Sequence, residues 1–140
     1  MNAPYNIGIA EPDITELELK YITQAVKSNE LSSQGLFVKK FEESFAAFCE
    51  TGYASTCMNG TVALHLALIG AGVSDGDEVI VPALTYVSTV NSVVHAGAKP
   101  VFVDVHPSHW GLDPEQIIEH ISPKTKAIIV VHLYGHPADM

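Results

Sequence analysis

Two short stretches carry residue types that could act on a ligand. Asn59-Gly60-Thr61 stands where a strand or loop passes into an apolar run with helical spacing. The first N–H groups of a helix lack intrahelical acceptors and lie at the positive end of its dipole, so such a start can hold an anion. A glycine there lets a phosphate approach the backbone, and a threonine hydroxyl adds a donor. The same triplet also serves as an ordinary N-cap, with Asn59 or Thr61 satisfying the first turn. The second stretch, Pro82-Ala83-Leu84-Thr85-Tyr86, closes a run of apolar, largely β-branched residues. Ligands of open α/β sheets gather at the carboxyl ends of parallel strands, where a ring such as Tyr86 can lie flat against a planar group. Packing of Tyr86 at the start of the next helix is the structural alternative.

Other chemistries fit less well. Gly70-Ala71-Gly72-Val73-Ser74-Asp75-Gly76 looks like a dinucleotide fingerprint, but its third glycine is one place late. The run also follows a helix and precedes a strand, the reverse of the order that aims a helix N-terminus at a pyrophosphate. It reads as a helix stop and turn, and no P-loop is present. Among seven histidines, His106 with His109 and His132 with His136 have metal-like spacings, yet Pro107 and Gly135 interrupt the helices that would align them, so no metal site is expected. Cys49 and Cys57 make neither a disulfide framework nor a zinc knuckle and read as buried thiols.

The elements that must position these stretches follow from periodicity. Thr15-Glu16-Leu17-Glu18 has the form of a capping box, and Leu19, Ile22, Ala25 and Val26 follow at helical spacing, which predicts a helix to about Ser28. A polar loop, Leu31-Ser32-Ser33-Gln34-Gly35, precedes a second amphipathic helix marked by Val38, Phe41, Phe45 and Phe48. Tyr53 to Met58 is a short strand or the approach to one. From Thr61 to Ile69 the chain is almost wholly apolar up to Gly70 and Gly72, which predicts a helix buried on most sides. Three strand-like runs come next: Glu78 to Val81, Pro100 to Val105, and Ala127 to Val131. Helical patterns at Val87 to Ala96 and Pro114 to Ile121 separate them. Continuous apolar strands alternating with helices require a mostly parallel sheet with helices on both faces, so the class is α/β.

The bulk properties set limits. At 140 residues the chain has the length of one domain, and neither a repeat nor a linker suggests a second. A hydrophobic fraction of 47% with 16% charged residues places it among soluble globular proteins. The formal charge is −9 with only seven lysines and arginines, too few clustered cations for a nucleic-acid or basic membrane-surface binder. No apolar run approaches the roughly 20 residues that cross a bilayer, and Met1 to Pro12 lacks a signal-peptide layout, so a cytoplasmic protein is expected.

Read together and in order, these segments resemble the DegT/DnrJ/EryC1/StrS aminotransferase family. The resemblance rests on Leu31 to Gly35 with Val38-Lys39-Lys40-Phe41-Glu42, on Asn59 to His65, and on Gly76-Asp77-Glu78-Val79-Ile80-Val81-Pro82. It continues through Thr85 to Thr89, Gly97 to Asp104, Lys124 to Ile128 and Val131-His132-Leu133-Tyr134-Gly135-His136-Pro137, covering nearly the whole chain.

The resemblance implies the large domain of the fold-type-I pyridoxal-phosphate (PLP) enzymes. These are normally homodimers that move an amino group from glutamate onto a keto-sugar carried on a nucleoside diphosphate, for polysaccharide biosynthesis among other pathways. By position, Gly60 and Thr61 would hold the cofactor phosphate and Tyr86 would stack on the pyridine ring. Ser32, Ser33 and Gly35 would belong to a substrate-side loop. The aspartate that pairs with the pyridine nitrogen and the lysine that anchors the cofactor are expected downstream of Met140. Lys20, Lys27, Lys39, Lys40, Lys99, Lys124 and Lys126 match no part of the family's lysine motif. Residues 1–140 are therefore expected to be the N-terminal portion of the large domain, with no catalytic residue of their own and no activity alone. The alternative is a non-catalytic truncated homologue that binds a phosphate ligand or pairs with a full-length relative.

Overall fold

A computed structural model describes residues 10–140. These fall into two compact units that divide between Thr56 and Cys57.

The first unit holds two helices, α1 (Glu16–Lys27) and α2 (Leu36–Phe48). Thr15 caps α1 in a capping box: its hydroxyl accepts from the Leu17 N–H, and the Glu18 carboxylate accepts from the Thr15 N–H at 2.7 Å. The Thr15 hydroxyl, which also donates to the Glu18 carboxylate, and after it the Thr15 N–H hold that carboxyl below its ordinary pKa. At the start of α2, Gly35 occupies the N-cap and the Glu30 side chain accepts from the Leu36 N–H. Tyr21 and Phe37 meet with ring centroids 5.6 Å apart, and Phe41 stacks on Phe45. Residues 53–58, which read as a strand or its approach, form no strand.

The second unit is the α/β body. It contains α3 (Gly60–Gly70), β1 (Glu78–Pro82), α4 (Ser88–His95), β2 (Lys99–Val103), α5 (Pro114–His120) and β3 (Thr125–Ile128), then a short 3-10 turn at Leu133–Gly135. All three predicted strand runs enter one parallel sheet in the order β2-β1-β3. Both outer strands end earlier than their apolar runs. The ladder from β1 to β2 finishes at Pro82 and Val103, and beyond Ile128 the Ile129 N–H still reaches the Ile80 carbonyl before the chain turns away.

Alternation along β1 divides the core between two faces. Val79 and Val81 pack with Leu68 of α3 and Val93 of α4, while Ile80 packs with Val103, Leu112 and Ile117 of α5. Helices thus cover both faces, as the pattern required. The glycine run after α3 is a helix stop. The Gly72 N–H bonds to Ile69 and the Val73 N–H to Leu68, with Gly72 left-handed at φ 77°. The same Schellman closure ends α4, where Gly97 has φ 79° and the Ala98 N–H bonds to Val93.

Two expectations need correction. Only Leu68 of α3 is buried, and Val62, Leu66 and Ile69 are exposed by 42%, 50% and 53%. A continuously apolar helix reports that several sides can be covered, but among the described residues the covered side is the one that carries Leu68, toward β1 and α4. Cys49 is exposed just beyond α2 and Cys57 is half-buried, so neither is a core thiol. Among the described residues no helix is long and apolar enough to cross a membrane.

At the amino ends of the strands Glu78 ties β1 to both neighbours. Its carboxylate accepts from Ser122 Oγ at 2.7 Å and pairs with Lys99 Nζ at 3.1 Å. The Ser122 hydrogen bond first, and Lys99 second, hold its carboxyl below the ordinary value of 4.5. A carboxyl with a depressed folded pKa stabilises fully above its unfolded pKa and loses that contribution as pH falls through the folded one. Glu78→Gln is therefore expected to lower the melting temperature at neutral pH. Thermal unfolding in steps below pH 4.5 should show the gap between variant and parent closing, and a gap independent of pH would refute this linkage.

Candidate active site

The order β2-β1-β3 creates a crevice. From β1 the chain crosses to β2 by α4 on one face, and from β2 it crosses back past β1 to β3 by α5 on the other. The connections after β1 and after β2 thus leave the carboxyl end of the sheet for opposite faces, and the carboxyl ends of the strands are where open α/β sheets take ligands. A cavity of about 410 Å³ lies there, lined by Leu84, Thr85 and Tyr86 from the β1 connection, Trp110 from the β2 connection, and Leu133 and Tyr134 from the β3 connection.

Tyr86 thus stands where the sequence placed it. Its side chain is 74% exposed, so it is not consumed by packing at the start of α4. The neighbouring Thr85 hydroxyl is 2.9 Å from that of Thr89, which fixes the turn into the helix. Trp110 and Tyr134 were not anticipated. Both have left-handed backbones, with φ of 58° and 51°, a conformation that costs a non-glycine residue roughly 1–3 kcal/mol. The only sequence signal for them was an aromatic in each segment that follows an outer strand.

Trp110 sits in a loop closed by a single antiparallel bridge between Val105 and Leu112 and by the His106 N–H to Gly111 carbonyl bond. Within that loop the rings of His106 and His109 stack at 4.5 Å with 2° between planes, so Pro107 does not keep them apart as the spacing argument supposed. The backbone N–H groups of Ser108 and Gly111 donate to Nδ1 of His106 and of His109, respectively. No group of three or more metal-ligating side chains is assembled among the described residues.

At the start of α3 the N-cap reading of Asn59-Gly60-Thr61 is the one observed, with Asn59 as the cap. Asn59 Oδ1 accepts from the Val62 N–H at 3.0 Å and the Asn59 carbonyl from the Ala63 N–H. The N–H groups of Gly60 and Thr61 are left without an acceptor among the described residues. A Cβ built on Gly60 would meet nothing within 4 Å, so the approach to these donors is open. Gly60 and Thr61 are not among the residues lining the cavity at Tyr86.

The family profile of the DegT/DnrJ/EryC1/StrS aminotransferase family matches residues 12–140. The chain belongs to this aminotransferase family. Within it, 134 residues are 48% identical to GDP-perosamine synthase of Escherichia coli O157:H7, covering 96% of this chain and 37% of that protein. Over 127 residues it is 46% identical to dTDP-3-amino-3,4,6-trideoxy-alpha-D-glucose transaminase of Streptomyces venezuelae, covering 88% of this chain and 34% of the other. The crystal structure of NtdA from Bacillus subtilis with bound cofactor PMP superposes with a TM-score of 0.81 at 34% identity, over 89% of this chain and 29% of that one. The chain spans about a third of the length of these relatives. Its sheet and helices are the family's α/β arrangement, part of the fold-type-I large domain.

The Ser32 to Gly35 loop lies in the first unit. Its Gly35 is buried, and a Cβ there would come within 2.8 Å of the Glu30 carbonyl oxygen. Ser32 Oγ accepts from the Gln34 N–H and the Ser32 carbonyl from the Gly35 N–H, whereas Ser33 is exposed. Gly35 is thus needed by the turn itself, while Gly60 is free of any such contact. Gly35→Ala is expected to cost about 1–3 kcal/mol of stability, and Gly60→Ala to stay within about 0.5 kcal/mol. Denaturant unfolding of both variants checks this, and equal losses would show that Gly60 is also a packing glycine.

Proposed function

We propose that the protein containing these residues is a PLP-dependent aminotransferase that moves an amino group, with glutamate as donor, onto a keto-sugar carried by a nucleoside diphosphate. The observation that carries this reading is the exposed Tyr86 ring in a cavity at the carboxyl end of the sheet. Relatives named for GDP-linked and dTDP-linked amino sugars support the substrate class.

The residues present fit such a cofactor. Free N–H groups at Gly60 and Thr61, with the α3 dipole behind them, suit a phosphate dianion, and the Thr61 hydroxyl supplies a further donor. Tyr86 offers a flat face to a pyridine ring. PLP, when bound, supplies the electron sink that loosens bonds at the amino-bearing carbon. The chain's own part is to bind the phosphate, orient the ring and narrow the crevice with apolar walls at Leu84 and Leu133. In this reading residues 1–140 contribute part of the large domain, Ser32, Ser33 and Gly35 form a loop on the substrate side, and the enzyme works as a cytoplasmic homodimer.

Thr61→Ala removes one donor to a charged group, worth about 1.5–3 kcal/mol of cofactor affinity. Tyr86→Ala should also weaken binding, and Tyr86→Phe, which keeps the ring, should restore most of it. Absorbance titration of the apo full-length protein with PLP reads all three. Unchanged affinity in both alanine variants would overturn the assignment.

A further inference from the structure

The cavity at Tyr86 is not closed on its far side. A second chamber of about 290 Å³ shares the walls Trp110, Leu133 and Tyr134 and adds Ser108, His109 and His136. Trp110 and Tyr134 therefore stand between an apolar chamber at Tyr86 and one with polar side chains. The Gly111 N–H can only donate, so His109 Nδ1 accepts, and its neutral ring carries the proton on Nε2. That Nε2–H has no partner among the described residues and is available to a ligand. The loop is held in place by close packing: a Cβ on Gly111 would come within 3.1 Å of both Ala138 Cβ and His109 Nδ1.

We propose that this second chamber receives the hexose ring of the substrate, with Trp110 and His109 as residues that determine which sugars are accepted. The inference rests on the aminotransferase reading above. A keto carbon beside the cofactor ring at Tyr86 leaves the rest of its own hexose within one ring's reach, and the adjoining chamber is what lies there. Its volume is at the small end of ligand pockets, which start near ~300 Å³, and suits one sugar ring. A pyranose has an apolar C–H face and a rim of hydroxyls. Trp110 matches the first, while Ser108 Oγ, which donates to His106 Nδ1 at 2.8 Å and keeps its acceptor capacity, and the His109 Nε2–H match the second.

A diphosphate fits this chamber poorly. Every cation of this chain is a lysine, and no lysine lines either chamber. Lys99, Lys124 and Lys126 lie at the amino ends of β2 and β3, opposite the cavity. The nucleobase is further still from the reacting carbon, with the diphosphate between them. The left-handed backbones of Trp110 and Tyr134 are the strained positions expected where a binding site dictates side-chain placement.

The test uses the full-length protein loaded with PLP and two separate readouts. One is the half-reaction with glutamate alone, followed by the cofactor absorbance; the other is KM for the nucleotide-linked keto-sugar. Trp110→Ala and His109→Ala are each expected to raise that KM about ten-fold, and His109→Ala, at a residue that lines only the second chamber, is expected to leave the donor half-reaction at its parent rate. Trp110→Phe and His109→Gln, which retain a ring face and a donor, should recover most of the loss and carry the test if an alanine variant fails to fold. An unchanged KM in both alanine variants would overturn the proposal. So would an equal loss of the donor half-reaction in His109→Ala, or weakened competition by the free nucleoside diphosphate, which would place the nucleotide in this chamber. A parent protein that reacts with no amino donor would instead sink the aminotransferase reading.

Discussion

Everything described at the carboxyl end of the sheet depends on β1 lying between two parallel partners. Its three central residues, Val79, Ile80 and Val81, are completely buried, two toward one face and one toward the other. A strand apolar on both faces has to be covered by helices on both, and parallel neighbours can be reached only by crossovers. Since crossovers are right-handed, one leading to β2 and one leading back to β3 must run over opposite faces. The crevice between the diverging connections is a consequence of that topology, present before any side chain is chosen to line it.

The sheet also separates charge from apolar surface. Around the amino ends, Glu78 gathers Lys99 and Ser122, so that the polar contacts joining the three strands sit away from the crevice. At the other end the connections contribute Tyr86, Trp110 and Tyr134, all exposed, with leucines between them. In the proposed reading the phosphate is held by backbone instead, through the two N–H groups at the start of α3 that lack an acceptor among the described residues. In a chain of net charge −9, oriented amides provide positive potential where fixed cations are scarce.

Most of the fold was legible because each element obeyed one simple period. The capping box at Thr15, the glycine stop at Gly72, and the three strand runs each depend on interactions within a few residues or on one uniform apolar environment. Readings that concerned what covers an element did less well. The apolar α3 is exposed on much of its surface, and Cys49 is exposed although cysteine is usually a buried residue. Burial is a relation between an element and its neighbours, and composition describes only one side of it.

The candidate site divides along the same line. The sequence alone determined that Asn59-Gly60-Thr61 begins a helix and that Tyr86 follows the end of a parallel strand, since caps and strand ends are local. It also carried enough ordered motifs to identify the aminotransferase family. Only the tertiary structure decided that Trp110 and Tyr134 face the same cavity as Tyr86, because they reach it from connections that follow three different strands. No local pattern specifies that meeting. It is set by the order β2-β1-β3, in which segments far apart along the chain end side by side.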